Sequence, residues 1–235
     1  MGIGWRQNNE HPTAREIDDW HDDDWPVWHR GSGSMATHPL AHLRRWRVGP
    51  GQALCIGSAM AITRDKRVPI PAPTAPVTLR SHVALPAYRY VPGLNPHPFR
   101  HEGGHMYVDG SPPPTPPWTP TKNWHTDHTA LYAADLFDNR YYWEAHEAWE
   151  GMWHGALANS TDHKVLQSLI QVAASILQHH MGSANGHRSL LNRSVSRLQD
   201  ASIHCHHGID MDHLFEQTHE FFDGGPWPTL PWSHP

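Results

Sequence analysis

What this sequence lacks narrows its class before any motif is read. No apolar run approaches the roughly 20 residues of a membrane-spanning helix. Its start, MGIGWRQNNEHPTAREIDDWHDDDW, contains no apolar h-region of a secretory signal. The Met-Gly opening has Arg6 where a myristoylation signal needs Ser or Thr. Basic residues number 18 against 23 acidic ones, a net charge of -5, so there is no basic footprint for nucleic acid. Two cysteines, Cys55 and Cys205, make neither a disulfide framework nor a zinc pattern. Together these absences point to a cytoplasmic protein that engages neither nucleic acid nor membrane. There is also no Gly-rich phosphate loop, no Gly-x-Ser-x-Gly elbow and no Cys-His-Asn set around either cysteine. Hydrophobic residues make up only 38% and charged residues 17%, so part of the chain is expected not to fold.

What is abundant is proline, glycine and histidine: 22, 18 and 23 residues. Their placement divides the chain. Residues 1–59 show no sustained helical or strand period and carry an acid run, DDWHDDDW. They read as a disordered, dispensable tail or an over-extended gene start, with Met1, Met35 and Met60 all open as the first residue. Residues 60–84 are a Pro-rich leader. Residues 85–125 differ, because Tyr88, Tyr90 and Phe99 lie among turn signals such as Pro92-Gly93 and Gly103-Gly104. Large aromatics in such a segment predict an extended loop that docks on something. Proline in VPIPAPTAP and SPPPTPPWTP excludes helix and central strand there.

Residues 126–224 are patterned as helices, with 225–235 as a tail. Asp127 is a candidate N-cap for a helix carrying Leu131, Ala134 and Leu136, and Asn139 marks a turn. A second helix ends near Gly155. The third is the most regular: Leu166, Leu169, Ile170, Ala173, Ile176 and Leu177 recur at helical spacing before Gly182. A fourth aligns Leu191, Val195, Leu198, Ser202 and Cys205; a fifth aligns Met211, Leu214, Phe215, Phe221 and Phe222. The expected fold is all-α, about five helices in an antiparallel bundle or stacked helical hairpins. No sheet is expected within residues 126–224, and a long, mostly irregular, Pro-rich region precedes them.

The second helix, YYWEAHEAWEGMWH, raises the functional question. Residues three and four apart share a face. Tyr142, His146, Trp149 and Trp153 make one stripe, and Trp143, Glu147, Glu150 and His154 the adjacent one. A surface this aromatic calls for burial, and buried carboxylates need a partner. Glu147 and Glu150 are therefore expected to line a semi-buried pocket walled by the docked loop, with Arg89 and its histidines, and by Gln171 of the third helix. Glu144 lies further round, at a position compatible with solvation.

The residues LFDNRYYWEAHEAWEGMW, LQSLIQVAASILQHH and ANGHRSLLNRSVSRL resemble the small all-helical family called domain of unknown function 309. The match rests on Phe137, Glu144, His146, Glu147, Glu150, Trp153, Leu169, Ile170, Gln171, Ala173, Ala174 and His180. The likeness extends over about residues 85–200, since YRYVPGLNPHPFRHEGGHMY is similar to the leader of longer members. Ser168 stands where that family has Gly, which bears on close helix packing. The resemblance implies a compact helical fold and no established activity, so whether the chain is an enzyme stays open.

Two readings follow. One is a structural or interaction module with a semi-buried carboxylate/His pocket built from Glu144, His146, Glu147, Glu150, Trp153, Gln171 and Arg89, engaging an unknown protein or small molecule, with a homodimer as one form. The other is a metal-binding protein or metal-dependent hydrolase. Here His146, Glu147 and Glu150 hold zinc or iron, with His180, His97 or His105 completing the set.

Overall fold

Side-chain caps set where the helices begin. The computed structural model describes residues 67–75, 77–108, 118–183 and 186–233. A single 3₁₀ turn at Trp124–Thr126 leads into α1, His128–Asp138, whose first N–H groups, those of Thr129 and Ala130, donate to the Asp127 carboxylate. Asn139 closes this helix, and Arg140, with a φ of 67°, turns the chain into α2, Tyr142–Gly155. Ser160 caps α3, Thr161–His180, by accepting from His163 N–H. Gly182 then leaves that helix in the left-handed region, at a φ of 79°. α4 covers Gly186–Asp200 and α5 covers Met211–Phe222, the latter capped by Asp210.

Helix α3 is the hub. α2 and α4 pack along it, α5 also touches it, and α1 packs on α2. Leu166, Leu169, Ile170, Ala173, Ile176 and Leu177 of α3 are buried, as the helical spacing predicted, and Val165 and Val172 are buried with them. Ser168 is buried as well: its hydroxyl donates to Lys164 O at 2.9 Å, and its own carbonyl accepts the Ser194 hydroxyl of α4 at 3.1 Å. A small residue here lets the two helices approach closely. The fold is all-α in the expected sense, with five helices among the described residues.

Two expectations need correcting. Residues 126–224 do hold a strand pair: β1, Cys205–His206, runs antiparallel to β2, Ile209–Asp210. The His207-Gly208 turn joins them with φ values of 47° and 82°. Positive φ at both central residues is the geometry of a tight hairpin turn. The same region overturns the face drawn for the fourth helix. α4 stops at Asp200, Ser202 adopts a φ of 51°, and Cys205 lies exposed on β1. The buried face of α4 is instead His187, Leu190, Leu191, Ser194 and Leu198.

The proline-rich segment is packed on the helices as a strap. Tyr90, Val91 and Phe99 are buried in the common core, as the aromatic content of the loop predicted. The leader joins in too, through buried Ile70 and Ser81, so docking begins upstream of residue 85. After the undescribed residues 109–117, Trp118 is buried and its indole N–H donates to Asp127 at 2.9 Å. The expectation for residues 1–59 lies outside the described residues.

The closest approach is at Gly155, the last residue of α2, whose missing side chain is replaced by the Trp118 backbone; a Cβ there would run into the Trp118 carbonyl. Gly155→Ala should therefore destabilise by about 1–3 kcal/mol, the usual range for overpacking, despite alanine's higher helix propensity. Urea denaturation would show a lower midpoint. A midpoint equal to or above wild type would mean that the Trp118 segment does not hold this position.

Candidate functional site

Three carboxylates of α1 and α2 are buried, and each is met by an extended segment. Asp135, with no exposed surface, accepts four hydrogen bonds: from Arg80 N–H at 2.9 Å, the Arg80 guanidinium at 3.3 Å, Ser81 N–H at 2.8 Å and the Ser81 hydroxyl at 2.7 Å. Asp138 accepts Leu230 N–H at 2.6 Å and the Arg80 guanidinium at 2.8 Å. Burial pushes the Asp138 carboxyl up, while the Leu230 N–H and the Arg80 charge pull it back. Glu144 accepts Tyr90 N–H at 3.1 Å. A helix supplies no free backbone donors in mid-span, and an extended segment outside a sheet has unpaired ones. The acids receive backbone donors from the strap and, at Leu230, from the C-terminal tail.

Glu144, which helical spacing left open to solvation, is only 4% exposed, and the strap covers it. His105 Nε2 stands 3.5 Å from Oε1, and Oε2 has no hydrogen-bond partner among the described residues. Burial raises the Glu144 pKa to about 8; Tyr90 N–H and the Arg89 charge oppose this and the Glu147 charge adds to it. Burial also lowers the pKa of His105. The pair is therefore a neutral acid beside a neutral imidazole at neutral pH.

Glu147 and Glu150 are the more exposed carboxylates of α2, with 30% and 38% of their side-chain surface open. His146 Nδ1 lies 3.3 Å from Glu147 Oε1. Burial disfavours the charged imidazole of His146, but its hydrogen bond to Glu147 and the Glu150 and Glu147 charges outweigh this and raise its pKa. One ligand atom each from His146, Glu147 and Glu150 lie within 4.8 Å of one another. The other candidates are elsewhere. The Arg89 guanidinium donates to Asn139 O at 2.8 Å and covers the Tyr141 ring at 4.5 Å. Gln171 accepts from Arg197 at 2.8 Å. His97 packs against Phe99 and Trp143, and Trp153 against His163. His180 donates to Val68 O at 2.8 Å and lies against Trp227. The structure thus brings His146, Glu147 and Glu150 together, and pairs Glu144 with His105.

The match in sequence is confined to the helices. Residues 131–190 fit the family described as Domain of unknown function (DUF309). The match covers 60 of the 235 residues. No curated protein matches the chain. The DUF309 segment contains all of α2 and α3, so it carries Asp135, Asp138, Glu144 and the His146 cluster, while the strap lies outside it. Among the described residues no helix is long and apolar enough to cross a membrane.

Sequence reasoning missed Asp135 and Asp138. The signal was present: in AADLFDN two acids lie three apart among Ala133, Ala134, Leu136 and Phe137, all of them buried. It also missed Asp162, His206 and His207, which form a second group of potential ligands.

The Glu144 value has a consequence for stability. The folded chain keeps a proton that the unfolded chain releases, because the folded pKa of about 8 lies above the ordinary 4.5. Its stabilisation is complete below the lower value and is lost as pH rises through the higher one, a loss on the order of a few kcal/mol. Glu144→Gln should remove this loss, so the variant gains on wild type as pH rises from about 4.5 to about 8 in chemical denaturation, with no further gain above that. Parallel pH profiles for the two proteins would show that the carboxyl is not held neutral.

Proposed function

We propose that the DUF309 domain of this chain is a structural and interaction module: a helical platform that grips extended polypeptide through backbone-directed carboxylates. The observation that carries this reading is the set of N–H groups of Arg80, Ser81, Tyr90 and Leu230 received by Asp135, Glu144 and Asp138. Contacts to the main chain give affinity with little demand on side-chain identity, and the proline-rich composition of the strap lowers the entropy lost on docking. In this chain the occupants are its own strap and, at Leu230, its C-terminal tail; an extended segment of a protein partner offers the same donors. A specific protease site placed within residues 109–117 and then cut should leave the upstream fragment bound to the helices on gel filtration at micromolar concentration. Asp135→Ala should release it, because breaking a buried pair costs about 3–5 kcal/mol. Prompt separation of the cut wild-type chain would sink the reading.

A second reading is favoured by the His146, Glu147 and Glu150 cluster, whose spacing within 4.8 Å suits one divalent ion such as zinc or iron. A metal-dependent hydrolase is the extended form of this reading. Purified full-length protein should then contain metal, and Glu150→Gln should lose it while the melting temperature without metal stays near wild type, since Glu150 is half-exposed. Equal metal content in both proteins would count against this cluster.

A further inference from the structure

We propose that Asp162, His206 and His207 form a second, independent site for a divalent transition-metal ion of the zinc type, which clips the β1–β2 hairpin to the start of α3. Asp162 lies in the first turn of α3, but Ser160 performs the capping, so the Asp162 carboxylate is available to the hairpin. Both imidazoles aim at the same oxygen: His206 Nε2 is 2.6 Å and His207 Nε2 3.1 Å from Asp162 Oδ1. One ligand atom from each of the three residues falls within 4.8 Å of the other two.

This convergence is built by the backbone. Successive side chains of an extended strand point to opposite faces, so adjacent histidines would normally diverge. The positive φ of 47° at His207 places its ring beside that of His206, with centroids 4.2 Å apart. The hairpin turn requires that conformation, and through it brings the two rings to one side. Trp124 fixes both rings. It stacks on His207 at 4.7 Å and meets His206 edge-on at 5.5 Å, and is itself only 1% exposed.

Two imidazole nitrogens and one carboxylate oxygen are a borderline donor set that suits zinc, and three protein ligands leave a fourth position for water or a small anionic ligand. The three side chains keep 16–21% of their surface open, so an ion and a water can enter. The hairpin also carries the chain end: Trp232 Nε1 donates to His207 O at 2.8 Å, and Ser233 N–H donates to Gly208 O at 3.0 Å. A bound ion would therefore secure β1, β2 and the C-terminal segment together.

The test uses full-length protein and zinc itself. On addition of one equivalent, the imidazole ¹⁵N resonances of His206 and His207 should shift before those of the other histidines. Zinc should also raise the melting temperature of wild type and of Glu150→Gln by several degrees, but not that of Asp162→Asn or His206→Gln. Retention of the effect in Glu150→Gln separates this site from the α2 cluster. Zinc that first perturbs other histidines, or that stabilises Asp162→Asn as much as wild type, overturns the proposal. If either variant fails to fold, the wild-type resonances alone decide.

Discussion

The hydrogen bonds from strap backbone to the buried acids of α1 and α2 are the constraint on which the rest of the structure depends. Asp135 alone ties Arg80 and Ser81 to the helix surface from more than fifty residues upstream. Were the strap absent, Asp135 and Glu144 would each lose their backbone donors, and Tyr90, Val91 and Phe99 would leave the core. A buried carboxylate without partners is far more costly than an exposed one. Helices and strap therefore form one cooperative unit, and neither is an accessory of the other.

The same constraint explains why carboxylates and aromatics are interleaved on α2. Trp143 and Trp149 fill the core, while Glu144 between them receives an N–H group from the segment that closes over the helix. The strap rings complete the wall: Tyr90 meets Trp143 edge-on at 5.1 Å, and Phe99 lies 5.8 Å from it. One turn further on, where the side chains are more open, Glu147 and Glu150 turn to His146 and His154 instead. A single helix thus carries a sealed acid used for structure and, further along, a more exposed group of carboxylates paired with histidines.

Histidine has several roles here, decided by position. His97, His105 and His179 serve as aromatic rings in packed clusters. His180 and His187 tie down backbone carbonyls, those of Val68 and Ser183. His206 and His207 converge on one carboxylate oxygen. A sequence rich in histidine offers ring nitrogens everywhere, and the backbone geometry decides which of them meet an acid.

Helix periods, caps and stops were legible because they are local. Asp127, Asn139 and Gly182 act over three or four residues, within the reach of neighbouring side chains on one helix. The docking of Tyr90 and Phe99 was also legible, since large rings in a polar, proline-rich segment have no other place to go. Which acid would be sealed was not. Helical spacing gave Glu144 an outer position, and only the path of the strap decides that this side is covered. The two-residue strands escaped notice because they are too short to show a period, and depend instead on a left-handed His207 that composition does not disclose. By itself the sequence determined the helices, their order and their apolar faces. The tertiary structure alone decided the hydrogen-bond donors of Asp135, Asp138, Glu144 and Asp162, because they lie 44 to 92 residues away along the chain and no local pattern encodes such a meeting.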